Sequence, residues 1–464
     1  MRPSTVAIFI ISVGAGLGAA GCGEPEDGDD DVVTGPTWYR DVAPLLAEHC
    51  MTCHSDGGIA PFSMESYEVA APAAAMMLEA VESGAMPPWD AESADDCSPR
   101  HAWKDDMRLS ASEIQLLRDW IATGKQEGTA AEIPEPPSLA LDRVSHTATP
   151  STPYTTTGSA DEFICFILDP GVTRLSWLTG VEVVPGNPKV VHHVVLVGYR
   201  AGAALDADIA ANGIGRPFEC NGGVLTREDT FLMGVWTPGS QPFETPGDLG
   251  LPVPAGTKVL MQMHYHPGGA TTNLPDASTV NLRLETSRPI NTYTITAVGN
   301  AATTPTLLSG PGDRTGTPEF RIPAGATNHV ESMRFPLSGL PAGKFRLFAA
   351  YPHMHYIGVE LSVQVEHPLN GGGVDRECLV NVPRWNFDWQ RTYQYDAPIA
   401  ALPAISNGDT LIVRCSYDNS LANPFVRRAL EEAGLVEPID VRLGEESLDE
   451  MCLGIFGIVV EPTP

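Results

Sequence analysis

"PKVVHHVVLVGYR", residues 188–200, is a short valine-rich run with two adjacent histidines in its middle. β-Branched residues pack well on a pleated, half-buried surface, so the run predicts a buried strand. An imidazole in such a strand needs a partner. His192 and His193 also alternate faces in an ideal strand, so for both to serve one ion the strand must end or bulge between them. Similar runs recur: "FICFILD" (163–169), "TKVLMQMHYH" (257–266), "FRLFAAYPHMHYIGVELSVQVEH" (345–367), "DTLIVRCSY" (409–417) and "MCLGIFGIVV" (451–460). Gly, Pro, Asn and Asp turns separate them, and "PFVRRALEEAGL" (424–435) is the one convincing helix among them. That is an all-β pattern, and about 300 residues of it suit two sandwiches, 151–295 and 296–464.

Composition agrees. The chain has 464 residues, 43% of them hydrophobic, with Gly 45 and Pro 41 but 7% aromatics, as in many-turned β folds. The formal net charge of -30 argues against nucleic acid and anionic lipid as partners. "VAIFIISVGAGLGAA" (6–20) is too short and too rich in Gly and Ala to span a bilayer, and reads as the apolar part of a signal peptide, 1–22. Gly21 before Cys22 suggests a bacterial lipoprotein signal with Cys22 lipidated; Ala19 stands where leucine is usual, so ordinary cleavage nearby stays open. Either route exports the chain to the bacterial periplasm or cell envelope. The acidic stretch after Cys22, within 23–36, has nothing to pack and reads as a tether.

Export puts the nine cysteines in an oxidising compartment. "HCMTCH" (49–54) contains Cys50-x-x-Cys53-His54, spacing that lets two thiols bond haem vinyls while the imidazole becomes an axial ligand. A redox CxxC is the other reading. The amphipathic "WYRDVAPLLAEHC" (38–50) precedes it, and "GAMPPWD" (84–90) offers Met86 as a second axial ligand or as a packing residue. "LSASEIQLLRDWIATG" (109–124) predicts a helix with a Ser110–Glu113 capping box and Gly124 as its stop. Residues 37–128 thus resemble a small α-helical c-type cytochrome domain, with 129–150 as a linker.

Six of twelve histidines fall in pairs on strand-like segments: His192 with His193, His264 with His266, His353 with His355. Residues i and i+2 of a strand share a face, so His353 and His355 reach one ion readily. "LDEMCLGIF" (448–456) adds Met451, and a thioether among imidazoles selects copper, especially cuprous copper.

An HH pair, then Gln262-x-His264-Tyr265, then His-x-His, then Glu450-Met451-Cys452, in that order, resembles the copper type II, ascorbate-dependent monooxygenases, the family of the peptidylglycine α-hydroxylating and dopamine β-monooxygenases. The resemblance covers roughly residues 155–464. It implies two jelly-roll-like β-sandwiches facing a solvent-filled cleft. His192, His193 and His264 would hold an electron-relay copper. His353, His355 and Met451 would hold the catalytic copper, where O2 meets a small-molecule substrate. Gln262 matches a glutamine near the relay copper, and His266 stands outside the motif, as a residue supporting the ligands or as an alternative ligand. The resemblance also implies disulfides Cys415–Cys452 and Cys165–Cys220; Cys97 and Cys378 are then left over, and their pairing would staple the haem region to the copper module. Two positions depart from the pattern. Where the peptide hydroxylase anchors its substrate with Arg and Tyr, this chain has Tyr351 and Ile455, which makes a peptidylglycine substrate improbable. "PRWNFDWQ" (383–390) is aromatic surface for a pocket, or, the stronger reading, core or a domain-specific loop. The expected function is an exported monooxygenase with two copper ions and one covalent haem, drawing electrons from an external donor. A copper-binding electron-transfer or copper-handling protein is the first alternative, and a haem-bearing binding module without copper the second.

Overall fold

The structure is a computed structural model that describes residues 34–464 except 59, 139, 158–160, 221–228, 267–274, 315, 342–344, 445–447 and 461–464. The signal peptide, Cys22 and nearly all of the acidic tether lie outside the described residues. Contacts divide the chain into Met1–Gly35 and Pro36–Pro464, and everything below concerns the second unit.

Residues 37–128 carry three helices. A wide turn over Trp38–Val42 runs into α1 (Ala43–His49), followed by α2 (Tyr67–Glu82) and α3 (Ala111–Ala122). Ser110 caps α3 as expected, its Oγ accepting from the Glu113 amide while Glu113 accepts from the Ser110 amide. Gly124 follows at φ 89°, a left-handed stop. Helix α2 was not legible as a motif; its signal is composition, since "AAPAAAMMLEA" is almost all strong helix formers. Trp38, Leu46, Met77, Leu117 and Trp120 share a cluster of their own, and the two indoles lie 6.0 Å apart with almost no exposed surface. Burying each such side chain contributes on the order of 1.5–3 kcal/mol.

Trp89, Ala91 and Trp103, however, belong to the core of the β region. Trp103 stacks on Tyr395 at 4.8 Å, the Lys104 amide donates to the Gln394 carbonyl at 2.7 Å, and a Cys97–Cys378 disulfide closes the contact. The leftover cysteines do pair.

From residue 146 onward the chain is mostly β-sheet. A ten-stranded sheet runs in the order His146–Ala148, Thr279–Glu285, Ser176–Val184, Leu249–Val253, Asn291–Gly299, Leu453–Val460, Phe345–His353, Tyr393–Gln394, with Phe243–Glu244 and Ala404–Ile405 attached to it. Five strands, Phe218–Glu219, Glu162–Leu168, Lys258–Tyr265, Val191–Tyr199 and Thr230–Trp236, form a second sheet. Four more, His329–Pro336, Thr410–Tyr417, Gly358–Pro368 and Val374–Val382, form a third. All three contribute to one apolar core, for example Val194 and Met261, Leu178 and Leu282, Val363 and Val413. The strand Asn291–Gly299 spans the expected boundary at 295/296. It pairs in parallel with Leu249–Val253 and antiparallel with Leu453–Val460, so one sheet continues from one β half into the other. The β region also holds α4 (Ala203–Asn212), an alanine-rich helix between Gly202 and Gly213, and α5 (Pro424–Glu432).

The remaining disulfides are Cys165–Cys220 and Cys415–Cys452. Three bridges mark an oxidising, extracytoplasmic environment. Among the described residues no helix is long and apolar enough to cross a membrane.

Candidate metal centres

The strands Val191–Tyr199 and Lys258–Tyr265 pair antiparallel, and His193 lies directly opposite His264. The next pair is Tyr265 with Val191, so His192 is skipped. This one-residue bulge is what the adjacent histidines require: it turns His192 to the side of its neighbour. The three Nδ1 atoms approach one another at 3.2, 3.3 and 3.3 Å. A point equidistant from them lies about 1.9 Å from each, close to the length of a metal–imidazole bond. His264 has Nε2 at 2.9 Å from the Asp161 carboxylate, which only accepts, so Nε2 carries the proton and the Nδ1 lone pair faces the other two rings. Burial, then the neighbouring histidines, pushes His193 well below the usual imidazole range. Burial likewise lowers His264 to about 4, against the opposing pull of Asp161. Neutral imidazole is the metal-binding form. This donor set fits a divalent or cuprous ion.

Asp161 was missed by the sequence reading; nothing in "TTGSADEF" (156–163) distinguishes it from a solvated acid. Burial opposes its charge, but hydrogen bonds from His264 and His266 hold its carboxyl well below the usual range. His266 gives its Nδ1–H to Asp161 at 2.5 Å. It therefore supports the carboxylate and does not share the Nδ1 triangle. Gln262 donates to the Cys220 carbonyl at 3.2 Å, beside the Cys165–Cys220 bridge.

His353 ends the strand Phe345–His353, and its ring meets that of His355 at 5.2 Å and 80°. His353 Nδ1–H donates to Gln390 Oε1 at 2.6 Å and His355 Nδ1–H to the Asp449 carbonyl at 3.0 Å, so both keep the lone pair on Nε2. Burial, then His355, lowers His353 to about 3. The methionine is joined to this pair through Glu450. That fully buried carboxylate accepts from the His355 amide at 2.5 Å and the Met451 amide at 2.7 Å, and also from Ile357 at 3.3 Å. Tyr417 donates to the Met451 carbonyl at 3.1 Å, and the Cys415–Cys452 bridge fixes the next residue. Burial pushes Glu450 up to about 8 in spite of these backbone donors.

The two centres are electrostatic neighbours: His193 feels His353 and His355, and His353 feels His264. The segment Phe387–Gln390 touches both. Phe387 stacks on His192 at 5.1 Å, Asp388 lies 3.5 Å from His192 Nε2, and Gln390 holds His353. Arg428 fixes Asp388 with contacts of 2.8 and 3.0 Å. In "PRWNFDWQ" Trp385 and Phe387 are core, while the polar Asp388 and Gln390 reach the histidines.

Tyr351 and Ile455 are paired across strands and line an apolar cavity with Val235, Ile295 and Ala349. At about 30 Å³ it holds no more than a water or two, so it is not a substrate chamber. The Tyr351 hydroxyl donates to Gln390 Oε1 at 3.1 Å.

Cys50 and Cys53 are free thiols at the end of α1, whereas the six cysteines of the bridges are all paired. Burial, then Cys53, pushes Cys50 up to about 12, and burial raises Cys53 against the pull of Arg391. His54 is buried, and its Nδ1–H donates to the Phe62 carbonyl at 3.0 Å, leaving the lone pair on Nε2. Two unpaired thiols beside an oriented imidazole fit a covalently held haem. Met86 is half-buried in the loop after α2 and lies outside the helical cluster that contains Met51, Met64 and Met77.

No protein-family profile matches the chain and no curated protein is similar to it. Several solved structures are distantly similar. The N-terminal tandem CBM22 domain of Xyn10C from Paenibacillus barcinonensis is 9% identical, over 66% of this chain and 80% of that chain, with a TM-score of 0.17. The major capsid protein P2 of bacteriophage PM2 is 8% identical over 68% and 97%, with a TM-score of 0.23. Broad Bean Stain Virus is 10% identical over 70% and 93%, with a TM-score of 0.25. Scores of this size do not establish a shared fold.

Proposed function

We propose that the chain is an exported copper-dependent monooxygenase that hydroxylates a C–H bond of a small-molecule substrate with O2, with electrons delivered through a covalent c-type haem. The observation that carries this reading is the triangle of facing Nδ1 atoms on His192, His193 and His264, in a chain that also pairs the His353 and His355 rings and ties the backbone of His355 to that of Met451 through Glu450. Two copper ions, when bound, supply one-electron chemistry and the activation of O2.

The chain's own groups do the rest. Asp161 fixes the His264 tautomer and compensates the charge at the first centre. Gln390 and the Asp449 carbonyl orient His353 and His355. Glu450 and the Cys415–Cys452 bridge hold the backbone of Met451, whose thioether favours the cuprous state. Cys50, Cys53, His54 and Met86 are the residues that would hold the haem, which would supply one-electron transfer; a methionine among its ligands would raise the iron potential. Each hydroxylation consumes one O2, two electrons and two protons, and its second oxygen atom leaves as water. The electrons come from an external reductant or redox protein, and Cys22 would tether the chain by lipid to the cell envelope. Tyr351 and Ile455 offer no cation for a substrate carboxylate, which argues against a peptidylglycine substrate.

The test is metal analysis of the purified, copper-reconstituted chain beside Met451→Ala. Two coppers and one haem iron, with cuprous binding selectively weakened in the variant, support the reading and justify an oxygen-uptake screen with the haem pre-reduced. One haem and no tightly held copper overturns it. Two coppers without substrate-dependent oxygen uptake favours a copper-handling protein.

A further inference from the structure

The last residue of α1 is His49, and its imidazole faces two ways. Nδ1 lies 3.0 Å from the Met107 carbonyl, which only accepts, so Nδ1 carries the hydrogen and leaves the lone pair on Nε2. Met107 packs against the β core, so this bond fastens the end of α1 to it. Nε2 is buried and has no hydrogen-bond partner, and the side chain is 10% exposed. It is aimed at Glu113 Oε1, 3.5 Å away. Glu113 spends its other oxygen on the α3 cap, where Oε2 accepts from the Ser110 amide at 2.6 Å and the Ser110 hydroxyl at 2.7 Å. Oε1 accepts from no backbone or hydroxyl donor among the described residues. Glu48, next to His49, is exposed and forms no hydrogen bond or ion pair among the described residues. One ligand atom from each of Glu48, His49 and Glu113 lies within 4.8 Å of the other two.

A lone pair and a carboxylate oxygen that face each other at this distance repel unless a cation lies between them. A proton would make an ion pair of His49 and Glu113 and needs no third group. Glu48 brings a second carboxylate to the same point, which a divalent cation uses and a proton does not. We propose that Glu48, His49 and Glu113 form a binding site for a divalent cation of the zinc class, with solvent at the fourth position. Ligands of a tetrahedral zinc at about 2.0–2.1 Å stand about 3.3 Å from one another, close to the 3.5 Å between His49 and Glu113. One imidazole and two carboxylates, with no sulfur, favour zinc over cuprous copper. The two carboxylates also balance the charge of the ion. With three protein ligands and one exposed side, the site is an exchangeable clasp and not a closed structural zinc. It joins the end of α1, one residue before Cys50, to the first turn of α3 and, through Nδ1, to Met107 on the β core. The inference does not rest on the copper or haem reading, and none of its residues belongs to the histidine centres.

The experiment uses the full chain as wild type, Glu48→Gln and Glu113→Gln, each first loaded with cuprous ion under ascorbate so that the histidine centres are filled. Zinc affinity is then measured by competition with a chromophoric indicator, and zinc content after gel filtration. Glutamine at 113 keeps the capping box, and Glu48 is exposed, so neither change threatens the fold. The expected result is one zinc per wild-type chain, bound at least about 10–100-fold more weakly in each variant, since a direct ligand matters no less than an outer partner. Zinc should also raise the melting temperature of the wild type and not of the variants. Zinc bound equally by all three chains overturns the proposal, because the ion then sits elsewhere. A wild type that binds no zinc also overturns it, and leaves His49 and Glu113 as an ion pair. Should the histidine centres take up zinc in place of copper, that zinc is common to all three chains, and the variants must still hold one ion fewer than the wild type.

Discussion

Asp161→Asn tests the first centre most directly. In the structure this carboxylate is 2.9 Å from His264 Nε2 and 2.5 Å from His266 Nδ1, and the Tyr356 hydroxyl lies 3.2 Å away. Asparagine keeps the shape and can still accept from His264, but it loses the charge that makes the imidazole a better donor. Replacing such an outer partner of a ligating histidine typically costs 10–100-fold in metal affinity, about 1.4–2.8 kcal/mol. The assay is competition for cuprous ion with a chromophoric chelator, run on the wild type, Asp161→Asn and Tyr356→Phe. The expected pattern is one weakened site and one unchanged site in Asp161→Asn, with a few-fold effect at most in Tyr356→Phe, which removes a single donor to Asp161. A purely structural ion pair between Asp161 and His266 predicts something else: a lower melting temperature of the metal-free chain and no change in affinity. That result, or equal weakening of both sites, would refute the assignment of Asp161 to His264.

Other consequences are as specific. Replacing both Cys97 and Cys378 by serine opens a loop of 281 residues and should destabilise the chain by about 2–5 kcal/mol in urea denaturation, with residues 89–107 gaining hydrogen exchange first. Glu450→Gln removes an acceptor from a carboxylate shared by the His355 and Met451 amides; it should cost about 1–3 kcal/mol of stability and weaken cuprous binding at the second centre alone. Asp90 gives a pH signature. Burial, opposed by Arg384 and Arg391, pushes its carboxyl from 3.8 up to about 7. Because the folded value is raised, its contribution is fully present below the unfolded value and is lost as pH rises through the folded one. Asp90→Asn should therefore gain stability relative to wild type between pH 4 and 8, by at most about 4 kcal/mol. Urea midpoints at several pH values measure it, and parallel pH curves for the two proteins would contradict it.

The sequence carried the ligands far better than it carried what surrounds them. Val191–Tyr199 and Lys258–Tyr265 were legible as strands because β-branched and apolar residues fill them, and the histidines stood out against that background. The bulge at His192 was legible only as a requirement, since a one-residue register shift leaves no composition signal. The roles of Asp161, Asp388, Gln390 and Glu450 were not legible, although Glu450 stood in a motif and Asp388 and Gln390 in a marked aromatic stretch. Each is an ordinary polar residue whose role comes from long-range contact: Asp161 meets His264 across 103 positions, and Glu450 meets His355 across 95. The shared ten-stranded sheet escaped for the same reason. A parallel pairing of Asn291–Gly299 with Leu249–Val253 depends on which edge is left open, and periodicity within a strand says nothing about its neighbours.

That shared sheet bears on how the two centres act together. Two sandwiches joined by a linker can move apart, and charges on facing centres then depend on a hinge. Here Leu453–Val460 pairs with Asn291–Gly299 along its whole length and with Phe345–His353 on its other edge. The strand that follows Met451 is thereby tied to the strand that ends in His353 and, through one more pairing, to the half of the chain that holds His192, His193 and His264. Phe387–Arg391 spans the remaining distance with side chains, stacking on His192, holding His353 and packing beside Cys53. Separation of the two histidine groups would have to break both a continuous backbone ladder and the contacts of this segment, so their relative placement is a property of the fold and not of a loop's position.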